Sequence, residues 1–287
     1  MSTSSLTPSA DDARPAPPAR SAPGTANALL RVHCVADSAG GLSFELDLPG
    51  EPADRAATLL LRRRGKPAEE VGLPLTPAEG TRLRASLPAT MILPEGRWDA
   101  HLQLGGATVA RLRPGLRDLR ALLDRVPDPS AGWLGVRIPY PTKSGDLAVR
   151  AWHRAPHAEA GAVLVGARGL DVEGRLFAAG FGAQAHVECV HRAGEAEALR
   201  AEVRVEGTGF TARIEYGELA PGTWDLWLRP SGAQGPRIRI ARLLDDIADR
   251  KPVFRYPVRR VDGAYGPVSA EPYYTVDNDL SVSVNRR

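Results

Sequence analysis

The sequence predicts an all-β protein made of two tandem β-sandwich domains. Three observations predict this class: short apolar segments separated by Gly- and Pro-rich turns, little helical periodicity, and motifs that occur twice in the same order. The length of 287 residues fits about two domains of roughly 100–150 residues each.

Composition and charge are those of an ordinary globular protein. Hydrophobic residues make up 43% and charged residues 25% of the chain, which is enough for a real core. The net charge is only +3, from 37 basic and 34 acidic residues, so a strongly cationic nucleic-acid surface is not expected. Only Lys66, Lys143 and Lys251 are lysines, and with abundant Ala, Gly and Pro this indicates a GC-rich genome such as an actinobacterium's.

Residues 1–26 are predicted to be a disordered N-terminal tail. They are mainly Ser, Thr, Ala, Pro and Asp, with too little apolar surface to offset the entropy of ordering. This stretch lacks the basic and apolar regions of a secretory signal, and no apolar run approaches the roughly 18 residues that cross a bilayer. Because Cys34 and Cys189 form no disulfide framework, a cytoplasmic location is expected.

The first half of the chain is predicted to be a series of short strands. Several of these segments alternate apolar and polar residues, and Gly- and Pro-containing turns separate them; they span 29–36, 42–48, 57–64, 81–88 and 96–104. Only 116–126 carries helical spacing, with leucines recurring at three and four residues, so one short helix is predicted there.

Two sequence blocks occur twice in the same order. LPEGRWDAHL at 93–102 reappears as LAPGTWDLWL at 219–228, and IPYPTKSGDLAV at 138–149 reappears as EPYYTVDNDLSV at 271–282. Between the second copies of the two blocks, at 219–228 and 271–282, the segment RLLDDIADRKP predicts another short helix that ends at a proline.

The duplication defines the expected domains. The first copy is predicted over 27–155 and the second over 158–287, each an immunoglobulin-like sandwich with one short helix before its last strand. The small and polar segment at the joint is typical of a linker.

The matched residues are interpreted as requirements of the fold. Trp98 and Trp224 would fill the space between two sheets, and the aspartate after each would face the opposite side of its strand. Asp146 and Asp279 are typical of hairpin turns that lead into a last strand. If the function is local, its site is therefore expected among the residues that are not duplicated or at the joint between the copies.

The cluster His186-Val-Glu-Cys-Val-His191 contains several metal-ligating residue types. On a strand, Cys189 and His191 share one face, whereas His186 and Glu188 share the other, so the four cannot converge on one ion. No metal site is predicted here. Cys34, on an apolar strand, is expected to be a buried thiol.

The run at 62–64 is three consecutive arginines at a strand end. We interpret this run as a solvated strand end that discourages edge pairing, in preference to a site that contacts phosphate. The chain contains no P-loop, no GxGxxG after a strand, no GxSxG elbow and no HExxH. No catalytic residue, cofactor or nucleic-acid partner is therefore predicted.

The duplicated G-x-W-D and P-Y-x-T-x-x-x-D-L motifs resemble those of the β-sandwich modules of large actinobacterial glycosyl- and glycerophosphotransferases. Such modules flank transferase domains of the kind that build teichoic-acid-like wall polymers. The resemblance covers nearly all of 27–287 and implies an accessory or scaffold role beside a glycopolymer transferase. The chain departs from a full transferase because no alternating α/β pattern of a nucleotide-sugar or CDP-glycerol domain is present.

Three hypotheses of function follow, and the oligomeric state stays open. The first is a non-catalytic interaction or scaffold protein whose partner is another protein, such as a glycopolymer transferase. The second is a small transferase with a site between the two copies, for which His153, His157 and Arg168 are the candidate residues. The third is a carbohydrate-binding module that uses the unmatched tryptophans; these are Trp133, Trp152 and Trp227.

Overall fold

A computed structural model of the chain describes residues 30–48, 56–65, 69–128 and 131–287, and the predicted tail at 1–26 lies outside them. The described residues form β-strands and two single-turn 3-10 helices, and none of them lies in an α-helix. The prediction of an all-β protein is therefore confirmed. In this part of the chain, no helix has the length and apolar character needed to cross a membrane.

The strands before residue 155 form two sheets. The strands are β1 Arg31–Ala36, β2 Leu42–Asp47, β3 Ala57–Arg63, β4 Glu70–Pro74, β5 Thr76–Pro77, β6 Arg82–Leu87, β7 Gly96–Leu104, β8 Ala107–Arg111, β9 Arg113–Asp118, β10 Leu134–Pro141 and β11 Leu147–Arg154. One sheet has the order β5-β6-β2-β1-β9. The other has the order β10-β11-β7-β3-β4, and β8 also pairs with β7. The five predicted strand segments correspond to β1, β2, β3, β6 and β7. Side chains alternate across the sheets: Val32, Cys34 and Ala36 of β1 are buried, whereas the residues between them are less covered.

The strands after residue 155 form one continuous network. Its strands are β12 His157–Val165, β13 Gly169–Phe177, β14 His186–His191, β15 Leu199–Glu206, β16 Gly209–Glu215, β17 Gly222–Arg229, β18 Ile238–Ala241, β19 Arg259–Gly263, β20 Gly266–Tyr274 and β21 Leu280–Arg286. They pair in the order β14-β15-β16-β13-β12-β18-β17-β21-β20-β19. Strand β14 also pairs with β17, so the seven strands from β14 to β17 close into a ring.

The buried apolar side chains fall into two clusters. The first is built from strands before residue 155 and includes Trp98 and Trp152. The second is built from strands after residue 155 and surrounds Trp224. Ala241 and Leu243, which come from the second half of the chain, belong to the first cluster. A segment of the second half therefore inserts into the core of the first.

The helix predicted over 116–126 is not formed. Leu116 lies within β9, which pairs in parallel with β1, and only residues 120–122 make a single 3-10 turn. Leu119 and Leu122 are buried, but Leu116 is 77% and Val126 79% exposed. The leucine spacing predicted a helix wrongly, because the segment pairs its backbone with the open edge of β1 instead. Only two of its leucines, Leu119 and Leu122, reach the core.

The second predicted helix, over 242–252, is also absent from the structure. The backbone N–H groups of Leu243 and Leu244 donate to the Glu159 carboxylate, and that of Ile247 donates to Asp245 Oδ1. Carboxylates thus take the hydrogen bonds that a helix would have supplied from its own carbonyls.

The matched tryptophans have the same environment in both halves. Both are buried, and the indole N–H of Trp98 donates to Pro94 O at 3.0 Å while that of Trp224 donates to Ala220 O at 2.8 Å. Each bond reaches back four residues to the turn that precedes the strand. The duplicated tryptophans therefore fix the entry into β7 and β17.

The matched turns also have the same geometry. The N–H of Thr142 donates to Asp146 O, and that of Thr275 donates to Asp279 O, at 2.8 Å in both. The residue before each aspartate has a positive φ, 80° at Gly145 and 62° at Asn278. Glycine and asparagine tolerate this left-handed conformation best, which explains why these two types stand there.

The aspartates of the duplicated motifs belong to ion-pair networks rather than to solvated turns alone. In the first half, Asp99 pairs with Arg64 at 2.6 Å and with Arg111 at 3.4 Å, and Arg111 reaches Asp146 at 3.3 Å. Hydrogen bonds from Ser144 and Arg111 hold the pKa of Asp146 below its usual value.

The second half repeats this network. Asp225 pairs with Arg192 at 2.5 Å and with Arg239 at 3.1 Å, and Arg239 reaches Asp279 at 3.5 Å. Burial alone would raise the pKa of Asp225, but the hydrogen bond from Arg192 and the charge of Arg239 hold it below its usual value. One arginine in each half, Arg111 or Arg239, thus joins the W-D and D-L motifs, and a second arginine pairs with the W-D aspartate alone.

Candidate ligand-binding groove at Trp133

Trp133 is held in place immediately before β10. A Cβ atom on Gly135 would lie 2.5 Å from Trp133 Cζ3, so the indole can fold over this strand only because residue 135 is glycine. The ring of His153, which is paired with Gly135 across β10 and β11, lies 4.9 Å from the indole centroid at an interplanar angle of 42°. Trp133 is therefore a half-buried ring in a fixed orientation.

Two cavities are lined in part by this indole. The larger, of about 500 Å³, lies between the two halves of the chain, with an apolar wall of Val126, Pro127, Leu134, Leu176 and Phe177 and polar residues Arg175 and Thr208. The smaller, of about 340 Å³, is lined by Thr90, Arg125 and Gly135, and the carboxyl group of Asp128 lines both cavities. Trp133 lines both, and we call the two cavities together the Trp133 groove. Concave apolar sites with a few polar groups are typical of ligand binding.

Two arginines lie at and behind the smaller cavity. Arg125 Nη1 donates to Gly135 O at 2.7 Å. Arg137 is buried, and it donates to three turn carbonyls, those of Gly40, Ala89 and Met91. Burial, with a smaller effect from the Arg125 charge, lowers the pKa of Arg137 to about 10.

Trp152 is part of a joint between the halves and is not an exposed platform. It is buried in the first core, and its indole N–H donates to Asp277 O at 3.2 Å. On the same strand, Arg150 pairs with Asp277 at 2.5 Å, and Arg154 pairs with Asp279 and Glu95, each at 3.0 Å. The turn at 275–279 thus docks on β11.

His157 is also part of the joint. Its side chain is fully buried, and Nε2 lies 2.7 Å from Glu159 Oε2. Glu159 in turn accepts the N–H groups of Leu243 and Leu244, at 2.9 to 3.0 Å. This pair anchors the segment that inserts Leu243 into the first core.

Arg168 lies apart from the two histidines. It is exposed in the turn between β12 and β13, whereas His157 begins β12. A strand rises about 3.3 Å per residue, so the length of β12 separates the two by about 25 Å. His153, His157 and Arg168 therefore do not converge on one cleft as the transferase hypothesis requires.

Trp227 is covered by two arginines. Arg237 Cζ lies 4.8 Å and Arg239 Cζ 5.0 Å from the ring centroid, as in cation–π contacts. Of the three unmatched tryptophans, Trp133 is the one that lines the described cavities.

The other candidate reactive groups are structural. Cys34 and Cys189 are buried, and burial raises the pKa of each thiol to about 12. Among the residues that the structure describes, no group of three or more His, Cys, Asp or Glu side chains is placed to hold a metal ion. Each arginine of the run at 62–64 pairs with a different carboxylate, from Glu70, Glu69 and Asp99 respectively.

The sequence did not reveal Arg125 or Arg137 as parts of a site. Arg125 lies in the segment predicted to be a helix, and Arg137 lies on a strand with no special spacing. No local signal marked Arg137, because Val136 and Ile138 beside it occupy the core-facing positions of β10 and alternation places residue 137 on the other face.

No protein-family model matches the sequence, and no curated protein sequence matches it. Weakly similar solved structures include an S. aureus TarS fragment, with 15% identity and a TM-score of 0.30 over 67% of this chain and 56% of that chain. They also include an Anoxybacillus pullulanase complexed with maltotriose, with 10% identity and a TM-score of 0.24 over 69% of this chain and 24% of that one.

A marsupial T cell receptor is similar at 9% identity and a TM-score of 0.30, over 89% of this chain and 90% of that chain. The chain spans about half the length of the TarS fragment and about a quarter of the pullulanase. TM-scores this low do not establish a shared fold, so they leave the function to the chain's own residues.

Proposed function

We propose that the chain is a non-catalytic binding and scaffold protein of two tandem immunoglobulin-like β-sandwich domains, 27–155 and 158–287, and that it binds a glycan in the Trp133 groove. The two core clusters and the matched environments of Trp98 and Trp224 support the division into two similar domains.

The single observation that carries the proposal is the fixed indole of Trp133, which lines two cavities. The apolar face of a sugar ring stacks on an aromatic ring, while hydroxyl groups need polar partners nearby. The groove supplies both, since Arg175 and Thr208 lie in the larger cavity and Thr90 in the smaller. Gly135 and His153 hold the indole in advance, so little conformational entropy is lost on binding.

The joint supports the scaffold part of the proposal. Ion pairs from Arg150 and Arg154, together with the inserted Leu243, fix the turn at 275–279 and the segment after β18 against the first core. A groove built from both halves then keeps its shape. A cytoplasmic glycopolymer transferase is the partner we propose, and its co-purification with the full chain from native cells tests this part.

The binding part is tested with Trp133→Ala and a matched control, Tyr265→Ala. Tyr265 is 54% exposed in the turn between β19 and β20, and it does not line the groove. A glycan array followed by calorimetry with the best binder measures affinity for the full chain and both variants. Loss of a buried Trp contact costs about 2 kcal/mol, which is roughly a thirtyfold loss of affinity.

The expected result is this loss in Trp133→Ala alone. Wild-type binding that survives the change, or equal losses in both variants, contradicts the proposal. If Trp133→Ala lowers the melting temperature of the protein, Trp133→Phe provides the second test. This variant keeps an aromatic face and should retain most of the affinity.

A further inference from the structure

We infer that the smaller cavity of the Trp133 groove binds the anionic group of an acidic saccharide, a carboxylate or a phosphate, through Arg125 while the sugar ring stacks on Trp133. This inference rests on the proposed glycan binding and names the class of glycan. Three features of the described residues carry it: the hydrogen bonding of Arg125, the charge of Arg137 behind it, and the shape of the cavity.

Arg125 is a cation whose hydrogen-bonding capacity is only partly used. One Nη donates to Gly135 O, while Nε is buried and has no hydrogen-bond partner among the described residues. Within the described ranges, no carboxylate forms an ion pair with Arg125. This differs from the arginines of the two ion-pair networks, each of which meets an aspartate. A guanidinium desolvated in this way gains free energy when an anion reaches it.

Arg137 adds a second positive charge, and its hydrogen bonds go to carbonyl groups and not to carboxylates. Its contacts are with the carbonyls of Gly40, Ala89 and Met91. The charge of Asp37 opposes the lowering of the pKa of both arginines, and Asp37 Oδ1 already accepts the N–H groups of Ala39 and Gly41 at 2.9 and 2.8 Å. Because the Asp128 carboxyl group also lines the cavity, the proposed selectivity rests on the unused guanidinium donors of Arg125 and not on a net positive charge of the cavity wall.

The cavity shape places an anion and a ring together. Its volume of about 340 Å³ lies within the range of small-molecule sites, roughly 300–1,000 Å³. Trp133 and Arg125 both line it, so a ring stacked on the indole can direct an attached acidic group toward the guanidinium. The planar guanidinium binds carboxylate and phosphate through two parallel hydrogen bonds, which a neutral hydroxyl cannot match.

The test measures the affinity of the full chain for three matched oligosaccharides by calorimetry: one neutral, one with a glucuronate unit and one with a sugar phosphate. We expect at least tenfold tighter binding of one or both acidic ligands than of the neutral one. Which of the two binds more tightly identifies the source of the anion. Added salt should lower the affinity for the acidic ligand more than the affinity for the neutral one, because salt screens charges that are exposed to solvent.

Two variants assign the effect to Arg125. Arg125→Gln should remove the preference for the acidic ligand, so that the acidic and neutral ligands bind this variant with affinities within about twofold of each other. Arg120→Gln is the matched control, because Arg120 lies five residues earlier, pairs with Asp118 on the surface and is outside the cavity. If Arg125→Gln lowers the melting temperature, Arg125→Lys serves instead; it keeps the charge but loses the planar pair of donors, so it should keep only part of the preference.

Equal affinity for the acidic and neutral ligands overturns the inference, as does a preference that survives Arg125→Gln. Neutral binding that depends on Trp133 but shows no acidic preference overturns this inference and leaves the proposed function standing. If an acidic peptide binds as tightly as the acidic saccharide, the saccharide class is wrong. If no saccharide binds, both the proposed function and the inference fail.

Discussion

Replacing Glu159 by Ala should destabilise the protein strongly, because its carboxylate holds the joint. The side chain accepts the N–H of Leu243 with both oxygens, at 2.9 and 3.0 Å, and that of Leu244 at 3.0 Å. It also lies 2.7 Å from His157 Nε2. The alanine variant removes the acceptor of two backbone donors in a segment that reaches the first core.

The magnitude follows from the groups left without partners. A buried donor that loses its acceptor costs about 1–3 kcal/mol, so two donors cost roughly 2–6 kcal/mol. Water that enters the joint recovers part of this cost. We expect Glu159→Ala to lower the free energy of unfolding by about 3 kcal/mol and to release Leu243 from the first core.

Chemical denaturation followed by tryptophan fluorescence measures the free energy of unfolding. Glu173→Ala is the control, because Glu173 is exposed in the middle of β13, and its effect should stay within about 0.5 kcal/mol. A change below about 1 kcal/mol for Glu159→Ala, or an equal change in the control, refutes the role given to this carboxylate.

Three further predictions concern the duplicated residues and a thiol. Trp98→Phe and Trp224→Phe should each cost about 1–3 kcal/mol of unfolding free energy, because both lose an indole hydrogen bond and leave a carbonyl unpaired; a large cost for only one contradicts their equivalence. Asp279→Ala should destabilise more than Asp146→Ala, since only Asp279 also pairs with Arg154; equal unfolding free energies refute this. Because burial raises the pKa of Cys34 to about 12, a thiol reagent at pH 8 should modify it only after unfolding, and rapid reaction of the folded chain counts against its burial.

The strands and the duplication could be read from the sequence for a physical reason. Alternation along β1 and the turn residues around it report burial locally, so they are visible without the partner strands. The shared environments of Trp98 and Trp224 likewise follow from residues within a few positions of each indole.

The joint and the ion-pair networks could not be predicted in this way. Arg111 reaches Asp99 and Asp146 only because β8 lies beside β7 and near the turn at 142–146. Trp152 looks like any exposed candidate in sequence, but Asp277, more than a hundred residues later, covers it. The helix predicted over 116–126 failed for the same reason, since pairing with β1 outweighed its local leucine pattern.

The central claim is that the chain binds a saccharide at Trp133, and the five indole N–H signals of an NMR spectrum test it most directly. Titration of the full chain with the oligosaccharide selected on the array should shift the signal of Trp133. The signals of Trp98 and Trp224, whose N–H groups are bonded inside the two cores, should stay in place. Saturable binding that leaves the Trp133 signal unmoved would contradict the account.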